Sequence, residues 1–173
     1  MMNSLAPSTP GLSAMLNDIE DAVTAGGHDR PRRIAAALQP YLGRPDLLPL
    51  EVRRSCPQGY IRHLLHANPK QHYAVVALVW RPGQMSPVHA HLTWCALGVH
   101  HGVLTEGFYE PPEGNELPRH KECRLQPVGS TSHGPADLHL IHRLANLGSS
   151  EAISIHVYGA DFDRFGQEVN HIF

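Results

Sequence analysis

From Tyr60 onward no apolar pattern in this chain lasts long, and that limits the folds open to it. Tyr60–Leu65, His72–Trp80, Trp94–Leu104, Phe108–Tyr109 and Ala152–Tyr158 are short and β-rich, with clusters of Gly, Pro, Asn or Asp between them. Such segments suit strands, and a succession of them suits a sandwich or barrel rather than a helical bundle. Glu110–Pro118 and Gly129–Pro135 read as loops. The residues before Tyr60 differ. Leu12, Met15, Leu16, Ile19 and Val23 recur at three- and four-residue steps until Gly26-Gly27 stops them, which is a helical period. A second helix starts near Asp29, a candidate N-cap, with Pro31 in its first turn. It carries Ile34, Ala37, Leu38 and Tyr41, and Pro40 shortens or kinks it. The expected fold is mainly β with an N-terminal helical cap, as one domain over residues 1–173: helical to about 55, β from about 56.

Composition removes several function classes. Apolar residues make up 42% of the 173 and charged residues 17%, enough for one core and unlike a disordered chain. A formal net charge of −2 offers no basic footprint for nucleic acid or acidic lipid. No apolar run is long enough to span a membrane, and Met1–Gly11 lacks the basic-then-apolar order of a signal peptide. Cys56, Cys95 and Cys123 are an odd, widely spaced set rather than a disulfide framework. These features predict a cytoplasmic protein with neither nucleic-acid nor membrane partners. The 14 histidines, as many as all lysines and arginines together, direct attention to metal binding.

His89 and His91 flank Ala90 in a segment where Pro82 and Pro87 disfavour a helix. On a strand an i, i+2 pair faces one way, so the two imidazoles form either half of a metal site or a pair of surface histidines. The wider spacing is more specific. Gly83, five residues, His89-Ala90-His91, three residues, Cys95, six residues and Gly102 resemble the first motif of the cupin superfamily, with Cys95 where an acidic ligand is usual. Gly129, five residues and Pro135, then His142 four positions before Asn146, resemble the second motif. Two extra residues separate Pro135 from His142, which leaves His139 as a competing third ligand.

A cupin with three histidines and no acidic ligand is similar to the thiol dioxygenases, the family of cysteine dioxygenase and 3-mercaptopropionate dioxygenase. Three further segments carry that resemblance: Ser154-Ile155-His156-Val157-Tyr158-Gly159, His142-Arg143-Leu144-Ala145-Asn146 and Tyr60-Ile61-Arg62. The resemblance implies a double-stranded β-helix, jelly-roll-like barrel, with Fe(II) on His89, His91 and His142. It implies insertion of both oxygen atoms of O2 at the sulfur of a small carboxylated thiol, L-cysteine first, giving a sulfinate. It also implies a Ser154–His156–Tyr158 hydrogen-bond chain ending at the iron, and Tyr60 and Arg62 in the substrate pocket with Arg62 on the carboxylate. Cys95 falls where animal members form a thioether with the signature tyrosine.

The residues support much of this independently. Three neutral imidazoles leave Fe(II) without a compensating anion, which favours a thiolate from the substrate. Ser154, His156 and Tyr158 share one strand face, which is either the solvent side of a strand or the lining of a site. Arg62 is either solvated or a guanidinium fork for a carboxylate. Within the resemblance, arginine at this position favours cysteine, whereas His63-Leu64-Leu65 and Thr93-Trp94 look more like the bacterial mercaptopropionate branch. 3-Mercaptopropionate and mercaptosuccinate therefore stay open as substrates. A cupin isomerase or hydrolase with another metal, and a ligand-binding module, stay open as functions. Cys95 is also a plain small core residue, Cys56 and Cys123 have no motif context, and His100 and His101 read as surface or loop-facing.

Overall fold

The computed structural model describes residues 8–114 and 116–173. The first seven residues of the expected helical region, which belong also to the Met1–Gly11 stretch, lie outside the described residues. Helix α1, Pro10–Thr24, begins where the Thr9 hydroxyl accepts the Leu12 N–H at 3.1 Å. Pro10 at its first position has no N–H to leave unsatisfied. Gly26 and Gly27, at φ +60° and +80°, end the segment in a conformation that favours glycine. Helix α2, Arg30–Leu38, follows Asp29, whose carboxylate pairs with Arg32 at 2.9 Å instead of capping the helix. Pro40 ends it in a single 3-10 turn, Gln39–Tyr41.

Among the described residues ten strands follow: β1 (Ile61–Asn68), β2 (Tyr73–Trp80), β3 (His89–His91), β4 (Cys95–His101), β5 (Val103–Glu110), β6 (Arg119–Pro127), β7 (Thr131–Gly134), β8 (Asp137–Ala145), β9 (Ala152–Tyr158) and β10 (Asn170–Ile172). Helix α3, Phe165–Glu168, precedes the last of them. They form two antiparallel five-stranded sheets, in the orders β1-β2-β9-β4-β7 and β10-β3-β8-β5-β6. This is the expected jelly-roll-like architecture, though as a two-sheet sandwich with edge strands rather than a closed barrel.

The first sheet is covered on both faces, so β2 and β9 are buried throughout and show little polar–apolar alternation. Val75, Ala77, Val79, Ile153, Ile155 and Val157 pack against Leu12, Met15, Ile19, Ile34 and Leu38 of the helices. Val76, Leu78, Trp80, Cys95, Leu97 and Tyr158 turn the other way and meet Leu104 and Leu144 of the second sheet. That second layer is where polar groups collect.

Several sequence expectations need correction. The stretch read as Trp94–Leu104 is two strands, because Gly102 at φ +70° turns the chain and a Cβ there would meet the Glu151 carbonyl at 2.6 Å. Gly129–Pro135 is not all loop, since Thr131–Gly134 pairs with β4 as an edge strand. His100 is not on the surface. It is 5% exposed, and its Nδ1 accepts the Gly43 N–H at 3.2 Å, whereas His101 is exposed as expected.

Candidate metal centre

The register places the site. In the second sheet His89 stands opposite His142, and β8 carries His142 beside Phe108 of β5. The i, i+2 pair on β3 and one residue of β8 thereby converge without any long loop. His89, His91 and His142 are buried, and a ligand atom from each lies within 4.8 Å of the others. His139, the competing candidate, is exposed and paired with Asp137 at 3.1 Å, and is not one of the three clustered histidines.

The geometry suits a cation. The Nε2 atoms of His91 and His142 are 3.0 Å apart. Metal–nitrogen bonds of about 2.1 Å meeting at a right angle put their nitrogens about 3.0 Å apart. His142 Nδ1 lies 2.8 Å from Glu106 Oε1, and His89 Nδ1 lies 3.0 Å from the Pro87 carbonyl. Those acceptors hold the hydrogen on Nδ1 and turn the Nε2 lone pair inward. Burial, then the neighbouring His142, push the His89 imidazole down to about 4. Burial followed by His142 and His89 takes His91 to about 3. Near pH 7 these two rings are neutral, the form that binds metal.

Glu106 went unread in the sequence. It is 1% exposed, and its carboxylate also accepts from Gln126 Nε2 at 2.8 Å and from the Ser132 hydroxyl at 3.1 Å. Burial pushes its carboxyl up, but the hydrogen bonds from His142, Gln126 and Ser132, with the charge of His142, outweigh that and hold it below the usual value. The signal was available: Leu104, Glu106 and Phe108 alternate on one strand, so an acid stands in an inward series. The three-histidine cluster is thus not without a negative charge, which sits one bond farther out.

On the facing sheet the Ser154, His156 and Tyr158 side chains form one buried chain. Ser154 Oγ is 2.8 Å from His156 Nε2, and His156 Nδ1 is 2.9 Å from the Tyr158 hydroxyl. Trp80 Nε1–H donates to Ser154 Oγ at 3.0 Å, a contact the sequence did not suggest. Burial pushes His156 well below and Tyr158 well above their ordinary values, so both are neutral. The Tyr158 ring centroid is 5.6 Å from that of His91. Cys95 is Tyr158's partner across the β4–β9 ladder; its thiol is free and pushed up by burial. Cys95 and Tyr158 are thus cross-strand neighbours.

Arg62 and Tyr60 lie at the β1 end. Arg62 pairs with Leu78, which pairs with Ser154, so all three stand in one row across the first sheet. Arg62 Nη2 donates to the Tyr60 hydroxyl at 3.1 Å, and Tyr60 stacks on Trp80 at 4.4 Å. The guanidinium is exposed, yet its charge reaches His89, His156 and Tyr158. A cavity of about 230 Å³ approaches the cluster from the other end of the sandwich. His91, Cys95, Glu106 and His142 line its depth, with Lys121 and His133 farther out. Cys56 and Cys123 take no part in the cluster.

Comparison with known proteins adds to this geometry. Among solved structures the chain is similar to TT1209 from Thermus thermophilus, at 19% identity and a TM-score of 0.50 over 64% of this chain and 91% of that one. It is also similar to a protein with a double-stranded β-helix domain from Klebsiella pneumoniae, at 20% identity and TM-score 0.45 over 65% and 86% of the two chains. A cupin domain from Bordetella pertussis matches at 19% identity and TM-score 0.43 over 58% and 92%. Only the first of these, at a TM-score of 0.50, speaks to the fold, and to the fold alone. The family model for cysteine dioxygenase type I matches residues 54–167. That span, about two thirds of the chain, takes in the three histidines, the Ser154–Tyr158 strand and Arg62, and the chain therefore belongs to the cysteine dioxygenase type I family.

Proposed function

We propose that this chain is an iron-dependent dioxygenase that converts a small carboxylated thiol, L-cysteine first, to its sulfinate with O2. The observation that carries the reading is one arrangement: a buried three-histidine cluster faced by a Tyr158–His156–Ser154 chain, with a guanidinium at the rim. An isomerase or hydrolase on the same histidines would leave that chain and Arg62 without a task.

His89, His91 and His142 would hold the metal through Nε2, at roughly 2.0–2.2 Å as in other histidine–metal bonds. Bound iron would supply the open positions at which thiol and O2 meet. Arg62 would bind the substrate carboxylate through paired charge-assisted hydrogen bonds, with Tyr60 steadying the guanidinium. Trp80 can only donate, so it engages one lone pair of Ser154 Oγ, leaving the hydroxyl hydrogen for His156 Nε2. His156 then donates from Nδ1 to the phenol oxygen, and the phenol hydrogen is free to meet charge developing on a reacting oxygen. The sheet interior keeps Ser154, His156 and Tyr158 buried.

The cavity on the side away from Arg62 favours one second reading, a thiol with a further substituent such as mercaptosuccinate. A thiol panel decides. Cysteamine, L-cysteine, 3-mercaptopropionate and mercaptosuccinate are each oxidised by wild type and by Arg62→Gln. A bidentate charge-assisted contact is worth about 1.5–3 kcal/mol, so the variant should lose roughly ten- to a hundredfold in kcat/KM on L-cysteine. Cysteamine should be poor with both proteins. Equal wild-type efficiency on cysteamine and L-cysteine would make Arg62 structural, and preference for mercaptosuccinate would move the substrate to the second reading.

A further inference from the structure

A ligand imidazole points one nitrogen at a metal only if the other is held, since the ring otherwise turns and exchanges tautomers. His89 has the Pro87 carbonyl and His142 has Glu106 for this purpose. His91 has no equivalent on the strands that bear the other two ligands. Its Nδ1 is buried and makes no hydrogen bond among the described residues. A buried donor left without an acceptor costs about 1–3 kcal/mol, and in a ligand ring it also leaves the orientation unset.

What faces that nitrogen is β10. Asn170 stands directly opposite His91 in the β3–β10 ladder. Its Oδ1 is likewise buried and without a partner among the described residues. Residues opposite one another in an antiparallel pair have Cβ atoms about 4.5–5.5 Å apart, so a small turn of the amide joins the two atoms. The competing acceptor is the Val169 carbonyl, which already receives the Leu92 N–H at 2.9 Å. Both ends of β10 are tied to the metal strand, because Phe173 N–H also reaches the Val88 carbonyl at 3.1 Å. The strand itself adds little to the core: Asn170 is half-buried, and His171 and Ile172 are exposed. Burial of apolar surface is therefore not what β10 contributes.

We propose that Asn170 is the positioning residue of His91, accepting its Nδ1–H, and that β10 is the strap that completes the metal site. The cysteine dioxygenase type I match ends at residue 167, so this strap lies beyond the matched segment. The inference rests on the metal reading above, and the experiment separates the two.

Cobalt(II) affinity of the full-length protein is measured by competition with a chromophoric chelator, for wild type, Asn170→Leu, Asn170→Asp and His89→Ala. Loss of an outer partner of a metal ligand weakens binding by about ten- to a hundredfold, and Asn170→Leu should fall in that range. Asn170→Asp, which keeps an acceptor oxygen, should stay within about threefold of wild type. Melting temperatures of the metal-free proteins, expected to agree for wild type and both Asn170 variants, separate positioning from damage to the fold. A readout free of any variant is the His91 Nδ1–H resonance of the zinc-loaded wild type, which should exchange slowly with solvent. Asn170→Leu binding cobalt as tightly as wild type, or a fast-exchanging His91 Nδ1–H, would overturn the proposal. Wild-type affinity in His89→Ala would instead overturn the metal reading itself.

Discussion

In the proposed function Tyr158 and Glu106 carry much of the chemistry at the cluster, and each can lose its polar function almost without changing shape. Tyr158→Phe deletes one hydroxyl from a buried chain whose other members remain bonded. In the proposed reaction that hydroxyl acts as charge develops, so turnover should fall by about tenfold or more with little change in KM and normal iron content. Unchanged kcat would remove Tyr158 from the reaction. Glu106→Gln keeps the volume but loses the anion behind His142. Metal affinity should drop by about ten- to a hundredfold, measured by iron retained after dialysis against a chelator; full retention would make Glu106 a mere packing residue. His89 and His91 were legible in the sequence because a strand puts i and i+2 on one side. Glu106 alternates with Leu104 and Phe108 and was within reach of the same argument, but Thr105-Glu106-Gly107 carries no motif to single it out. Register, which single-chain patterning does not supply, is what brought it to His142.

At the scale of elements, the helical cap is joined to the sheet by a polar clamp as well as by its apolar faces. His100 accepts the Gly43 N–H from the turn after α2, and burial, with Arg53 and His101 nearby, pushes its imidazole down to about 4. The unfolded chain takes up this proton near the ordinary value of 6.5, while the folded protein refuses it until about pH 4. His100 therefore contributes stability that is full above pH 6.5 and is lost as pH falls toward 4. A shift of this size corresponds to about 3 kcal/mol. His100→Asn, compared with wild type by urea denaturation between pH 7 and 4, should show a shallower loss of stability. Parallel curves would mean the clamp contributes nothing. The same scale shows where the sequence was hard to read. Helix α1 and strands β2 and β9 were legible from period and composition. The β7 and β10 strands are three or four residues long, without an apolar face, and exist only because a neighbour offers a ladder.

For the molecule as a whole, the two sheets keep the reactive groups on opposing walls. The second supplies the histidines and Glu106, the first supplies Arg62 and the Ser154–Tyr158 face, and the cluster lies where they meet. Motif spacing identified both walls but not the space between them, so the approach by way of Lys121 and His133 came only from the packed structure. No described helix is long and apolar enough to cross a membrane. Two walls so arranged have one shared task in the proposed function, oxygenation of a thiol at an iron held by three histidines. Turnover of L-cysteine by iron-loaded protein under 18O2, with the product analysed by mass spectrometry, tests that task without any intermediary. The expected product is a sulfinate carrying both labelled oxygens, with none formed by His142→Ala. Disulfide or unlabelled product from the wild type, or full activity without iron, would contradict the proposed reaction.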